Sequence, residues 1–228
     1  MTLRAVLFDL DGTLVDTAPD MGAAVNALRV ERGLEPLEAE RIRPWVSHGS
    51  PGLLKIAFGV EKDAADYNEL RDRFLALYEA RLSRETKLFD GMQQVLDTLY
   101  VKGIPWGIVT NKPAWLTDAL LADLAIVPPP QCAVSGDTTA HHKPHPASIL
   151  HACETLNVMP EHALYVGDAE RDIQAAHAAG MPVLAAAYGY LHDHEDPAEW
   201  NADGIIQAPA DLLDWLDDAS VQNRENAS

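Results

Sequence analysis

Val6-Leu7-Phe8-Asp9-Leu10-Asp11-Gly12-Thr13-Leu14-Val15-Asp16-Thr17 is the stretch around which the chain is organised. A short apolar run ends in two carboxylates one residue apart, followed by a glycine, a threonine and a helix-start signal. In extended backbone, alternate residues point to one side, so Asp9 and Asp11 are expected to converge, and two like charges raise each other's pKa. A hard dication with oxygen ligands, Mg2+ above all, relieves that repulsion and keeps places for water and phosphate. Taken alone, the stretch is equally an ordinary strand leaving its sheet through an Asp-Gly turn, and the rest of the chain decides between the two.

Working outward, Leu3 to Asp9 reads as a strand whose near-continuous apolar run suits a parallel sheet covered on both faces. From Asp16 to about Arg84 apolar residues recur at helical spacing: Met21, Val25 and Leu28, then Leu70, Phe74, Leu77 and Leu82. Within this block Trp45 to Gly52 is a polar, glycine-rich turn that opens a further helix through Leu53, Leu54 and Ile56. An all-helical block between a first strand and a later alternating pattern reads as an insertion. The chain returns near Phe89-Asp90-Gly91, where the Asp-Gly pair is read as a helix cap.

Beyond it the pattern predicts helix 91–102, strand 104–110, helix 113–124, strand 132–135, helix 144–157, strand 163–167, helix 170–179, strand 182–187, strand 204–207 and a last helix 210–216. The tail after Asp218 is expected to be disordered. Such alternation implies a parallel sheet with ligands beyond the carboxyl ends of its strands.

That rule is a test, because three further strands should end in something useful. One ends in Thr110-Asn111-Lys112, a hydroxyl with backbone N–H groups suited to an anion, although Thr-Asn is also a common helix cap. The loop after Cys132 carries His142-Lys143-Pro144-His145-Pro146, where two prolines fix a turn around Lys143. The third strand ends in Gly167-Asp168-Ala169-Glu170-Arg171-Asp172, two carboxylates one helical turn apart, which would equally stabilise a helix dipole.

The ordered set Asp9-x-Asp11-Gly12-Thr13, Thr110, Lys143 and Gly167-Asp168-x3-Asp172 resembles the four motifs of the haloacid dehalogenase-like hydrolases, over nearly the whole chain. The resemblance implies an α/β fold: a Rossmann-like parallel-sheet core (1–15 and 85–228) with an inserted all-helical cap (16–84). It implies a phosphoric monoester hydrolase in which Asp9 is the nucleophile and forms an aspartyl-phosphate. Asp11 would act as general acid and base, and Thr110, Asn111 and Lys143 would bind the phosphoryl group. Mg2+ would be held by Asp9, the backbone carbonyl of Asp11, and Asp168, with Asp172 in support. Dehalogenases of the superfamily lack the second aspartate, so Asp11 argues against them. A phosphomutase shares the constellation, and a non-catalytic phosphate-binding or phosphorylation-switch protein stands as the reading from another class; such switch proteins are shorter and carry no cap.

Arg32-Gly33-Leu34, Val46-Ser47-His48-Gly49, Ala57-Phe58-Gly59, Tyr188-Gly189-Tyr190-Leu191-His192 and Trp200-Asn201-Ala202-Asp203 look like phosphoglycolate phosphatases and the related N-acetylmuramic acid 6-phosphate phosphatases. Substrate selection then falls to the insertion, where Ser47 and His48 could bind a carboxylate or hydroxyl and Gly49 and Gly52 leave room for it.

Composition bounds the partners. With 35 acidic and 17 basic residues among 228, a formal charge of -18 disfavours nucleic acid and anionic membrane surfaces. A small phosphate ester must be captured by local cations, not steered from afar. No basic segment precedes an apolar one, and no run nears the roughly 18 apolar residues of a membrane span, so a cytoplasmic protein is expected, monomer or homodimer. Cys132 and Cys153 read as reduced, buried thiols. His141, His142, His145, His192 and His194 read as solvated loop histidines, a transition-metal site being the rarer alternative.

Overall fold

The computed structural model describes residues 3–216. Six strands form one parallel sheet: β1 (Ala5–Phe8), β4 (Trp106–Val109), β5 (Cys132–Val134), β6 (Ala163–Gly167), β7 (Val183–Ala186) and β8 (Gly204–Ile206). Their order is β5-β4-β1-β6-β7-β8, with β1 central. All four residues of β1 are buried because both faces are covered: Val6 and Phe8 join one core, Ala5 and Leu7 the other. Helices α5 (Met92–Lys102) and α6 (Ala114–Leu124) close the first face, and α7 (Ala147–Leu156) and α8 (Glu170–Ala178) the second.

Register aligns the strand ends. Phe8 pairs with Ile108 on one side and Val166 on the other, so Asp9 emerges level with Gly167 and one residue short of Thr110. The Asp9 amide still donates to Val166 O at 2.9 Å.

Between β1 and α5 the chain leaves the sheet through a short antiparallel ribbon of β2 (Val15–Asp16) and β3 (Lys87–Leu88). Between those strands lie four helices: α1 (Ala18–Glu31), α2 (Ala39–Ile42), α3 (Gly49–Phe58) and α4 (Tyr67–Glu79), with a 3-10 turn at Arg43–His48. Met21, Val25 and Leu28 of α1 share a core with Leu53 and Leu54 of α3 and Leu70, Phe74 and Tyr78 of α4. Each fully buried Leu or Phe there contributes on the order of 1.5–3 kcal/mol. The helical insertion expected from the sequence is present, flanked by two-residue strands too short to leave a periodic signal.

Several boundaries move for identifiable reasons. The helix expected from Pro144 begins at Ala147 with Pro146 as its N-cap, because a residue before proline is disfavoured in helical conformation and His145 occupies that place. The last helix is preceded by a 3-10 turn at Pro209–Asp211, whose Asp211 carboxylate accepts from Gln207 N and Ala208 N. Gly91, with φ 90°, caps α5 as expected. Cys153 is buried, but Cys132, expected to be buried too, is only partly buried, on the edge strand β5. Both thiols are free, and burial pushes each up to about 11. The tail after Asp218 lies outside the described residues. No described helix is long and apolar enough to cross a membrane.

Candidate active site

At the carboxyl end of the sheet, Asp9, Asp168 and Asp172 are buried with carboxylate oxygens within 4.8 Å of one another. The Lys143 ammonium sits among them, 2.9 Å from Asp9 Oδ1 and 2.7 Å from Asp172 Oδ1. It also donates to Val109 O and to Tyr165 Oη, each at 2.8 Å. Asp172 Oδ1 is close to the ammonium yet accepts no aligned hydrogen bond, so that pairing is one of charge. Its other oxygen accepts from Ala169 N at 3.1 Å, which ties the cluster to the start of α8.

Asp168 is held by three donors: Ser47 Oγ at 2.6 Å and Tyr190 N at 3.0 Å to Oδ2, and Thr13 Oγ1 at 3.3 Å to Oδ1. Two glycines make the space. A Cβ on Gly12, whose φ is 89°, would fall 2.1 Å from Asp168 Oδ2, and one on Gly189 would fall 2.3 Å from Asp168 Cβ. Burial, then the charges of Asp9 and Asp172, push Asp168 up to about 7. Asp9 is likewise raised, by burial first, against the lowering pull of Lys143. Hydrogen bonds and one ammonium do not offset the desolvation of this many carboxylates.

Asp11 departs from the simple alternation. The strand ends at Phe8, so its side chain turns away from the cluster and meets Lys112 Nζ at 2.9 Å and Thr17 Oγ1 at 2.7 Å. The like charges crowding Asp9 are Asp172 and Asp168, not Asp11. Asp9 and Asp11 nevertheless line one cleft of about 1010 Å³, with Thr110, Asn111, Lys143, Ser47, His48 and Gly49 also on its walls.

The expected substrate-binding residues differ in what they hold. Asn111 grips the backbone of Lys143, donating from Nδ2 to its carbonyl at 2.9 Å and accepting its N–H at 3.0 Å. Thr110 Oγ1 accepts from Lys112 N at 3.1 Å. Ser47 spends its hydroxyl on Asp168. Gly52 also lines the cleft, and a Cβ there would lie 2.4 Å from His48 Cβ and 2.9 Å from Trp45 O. Desolvation, then the Arg171 charge, lowers the His48 pKa.

Three participants had no role assigned from the sequence. Lys112 is buried between Asp11 and Tyr78 of α4, donating to Tyr78 Oη at 2.9 Å and so joining insertion to core. Burial alone would lower the Arg171 pKa, but Asp172, Asp9 and Asp168 outweigh it, and this guanidinium donates to Ser47 O at 2.7 Å. Tyr165 Oη donates to Val109 O at 2.8 Å beneath Lys143. A lysine after Thr-Asn was the one available signal.

Residues 6–186 match the haloacid dehalogenase-like hydrolase family. The chain belongs to the haloacid dehalogenase-like hydrolases. It is 47% identical over 209 residues to a phosphoglycolate phosphatase of Xanthomonas campestris pv. campestris, covering 92% of this chain and 94% of that protein. An N-acetylmuramic acid 6-phosphate phosphatase of Pseudomonas aeruginosa is 38% identical over 219 residues, covering 96% and 97%. A crystal structure of a predicted phosphoglycolate phosphatase from Haemophilus somnus superposes with a TM-score of 0.83 at 27% identity, covering 95% of this chain and 99% of that one. This haloacid dehalogenase-like hydrolase is therefore an enzyme of the phosphatase type, with the Rossmann-like core and helical insertion that the resemblance implied.

Proposed function

We propose that the enzyme is a Mg2+-dependent phosphatase that acts on a small, carboxylate-bearing phosphate ester through covalent catalysis at Asp9. The observation carrying this reading is the knot of Asp9, Asp168 and Asp172 around Lys143 at the ends of adjacent strands. Three buried carboxylates face one ammonium and the nearby Arg171, so the cluster is short of positive charge. Its donors are all oxygen, which suits a hard dication. Asp9 and Asp168 would hold Mg2+, with the Asp11 carbonyl and Asp172 contributing. Bound there, the ion supplies charge neutralisation for the phosphoryl oxygens.

The protein's own residues do the rest. An Asp9 carboxylate oxygen bonds to phosphorus as the ester P–O bond breaks, and Asp11 gives its proton to the departing alcohol. Asp11 then takes a proton from the water that attacks the aspartyl-phosphate, releasing inorganic phosphate and restoring Asp9. Lys143 and Thr110 would hold the transferring oxygens, with Asn111 fixing Lys143 in place and Lys112 and Thr17 orienting Asp11. Residues 16–84 would act as the cap over this site, between core segments 1–15 and 85–228.

The substrate in this reading is 2-phosphoglycolate or a sugar 6-phosphate such as N-acetylmuramic acid 6-phosphate, the esters named by the two groups of relatives. Both carry a carboxylate, and His48, Gly49 and Arg171 line the cleft where it would lie. Free thiols at Cys132 and Cys153 suit a reducing compartment such as the cytoplasm. A kcat/KM panel of both esters, other sugar phosphates and a phosphopeptide tests the assignment. One of the two carboxylate esters should lead; efficient phosphopeptide turnover with neither of them hydrolysed would overturn it.

A further inference from the structure

A second convergence of ligand-type side chains lies outside the carboxylate cluster. His48, at the end of the 3-10 turn in the helical insertion, faces His192 and Glu195, which sit on the core loop after β7. One imidazole nitrogen from each histidine and one Glu195 oxygen lie within 4.8 Å of one another. His48 Nε2 is 3.9 Å from Glu195 Oε1, and the two imidazole rings are 5.1 Å apart. Glu195 is already oriented, since its Oε2 accepts the backbone N–H of His192 at 3.0 Å, and Trp45 walls the site edge-on with its ring 4.4 Å from that of His192. The roughly 3.3 Å ligand spacing on a tetrahedral dication is shorter than that 4.8 Å span, and all three side chains lie at a partly exposed rim.

We propose that His48, His192 and Glu195 form a second cation site, for a borderline transition-metal dication such as Zn2+, which ties the helical insertion to the core. The donor set decides the class of ion. Two imidazoles and one carboxylate are the ligands of open zinc sites, leaving a place for water, whereas Mg2+ takes oxygen donors and would stay with Asp9, Asp168 and Asp172. One ligand comes from the insertion and two from the core, so an ion here restrains the one against the other beside the cleft.

Intact protein saturated with Mg2+ would be titrated with Co2+ as a spectroscopic probe, then with Zn2+ as competitor. One equivalent of Co2+ should develop visible d–d absorption of an imidazole-bound, four- or five-coordinate ion, and Zn2+ should erase it. His192→Ala and His48→Ala should each weaken uptake by at least about tenfold, and Glu195→Gln should weaken it too. Zn2+ should also raise the Tm of the Mg2+-loaded wild type more than that of the Mg2+-loaded His192→Ala variant. Absence of the band, or equal uptake by wild type and both histidine variants, would overturn the proposal. Neither result depends on which ester the enzyme hydrolyses.

Discussion

Asp168 is a carboxylate whose surroundings oppose its charge: buried, beside two other carboxylates, and pushed up to about 7. If Asp168 holds Mg2+ as proposed, the ion and a proton compete for it near neutrality, so Mg2+ affinity should climb as pH rises from 6 towards 8 and flatten above that. Calorimetric titration measures it directly, and affinity unchanged over that range would contradict the argument. The linked stability has a defined sign. A folded pKa raised above the unfolded value of about 3.9 favours the fold below that value, and the benefit is lost as pH rises through about 7. Metal-free protein should accordingly lose Tm between pH 5 and 8, and Mg2+ should restore more of it at pH 8 than at pH 6. Lys143 is the complementary case. Lys143→Met leaves Asp9 and Asp172 without their ammonium and should destabilise the metal-free protein by about 3–5 kcal/mol, seen as a lower urea midpoint that Mg2+ partly recovers.

The two crossings between sheet and insertion are joined by a buried carboxyl group. Asp20 of α1 accepts from Glu85 N, Thr86 N and Thr86 Oγ1, each at 2.8 Å, and from Arg81 Nη2 at 3.2 Å. Asp20→Ala strands those donors and should cost about 2–4 kcal/mol in equilibrium unfolding, whereas a loss under about 0.5 kcal/mol would show that the clamp is ornamental. Elements of this kind were legible in the sequence only where their signal is local. Apolar runs ending in Asp9, Thr110 and Gly167-Asp168 could be read as strands with polar carboxyl ends, because both halves of the pattern lie within a few residues. Helical spacing gave Met21, Val25, Leu70 and Phe74 as core, and all are buried. The Lys112–Tyr78 and Asn111–Lys143 pairings and the Arg171 donation to Ser47 span 34, 32 and 124 positions, and nothing periodic connects such partners. The turn of Asp11 away from Asp9 was hidden for another reason: extended geometry stops at Phe8, one residue before the chemistry begins.

Across the whole molecule, a charge of -18 opposes the approach of an anionic ester, so productive encounter relies on a few cations at the cleft. Adding salt screens repulsion beyond about 8–10 Å, and kcat/KM for a carboxylate-bearing phosphate should rise with ionic strength up to about 0.15 M, while kcat stays level. A monotonic fall would place steering cations at the cleft in control. In the proposed mechanism the covalent step has a single address, Asp9 at the end of the central strand. Wild type and Asp11→Asn enzyme, mixed with Mg2+ and an ester labelled at phosphorus with a good leaving group, would be quenched in acid within one turnover and peptide-mapped. The label should sit on Asp9, accumulate in Asp11→Asn because the second proton transfer is lost, and be absent from Asp9→Asn, which should be folded and inactive. Turnover with no label on Asp9, or an active Asp9→Asn enzyme, would contradict the account.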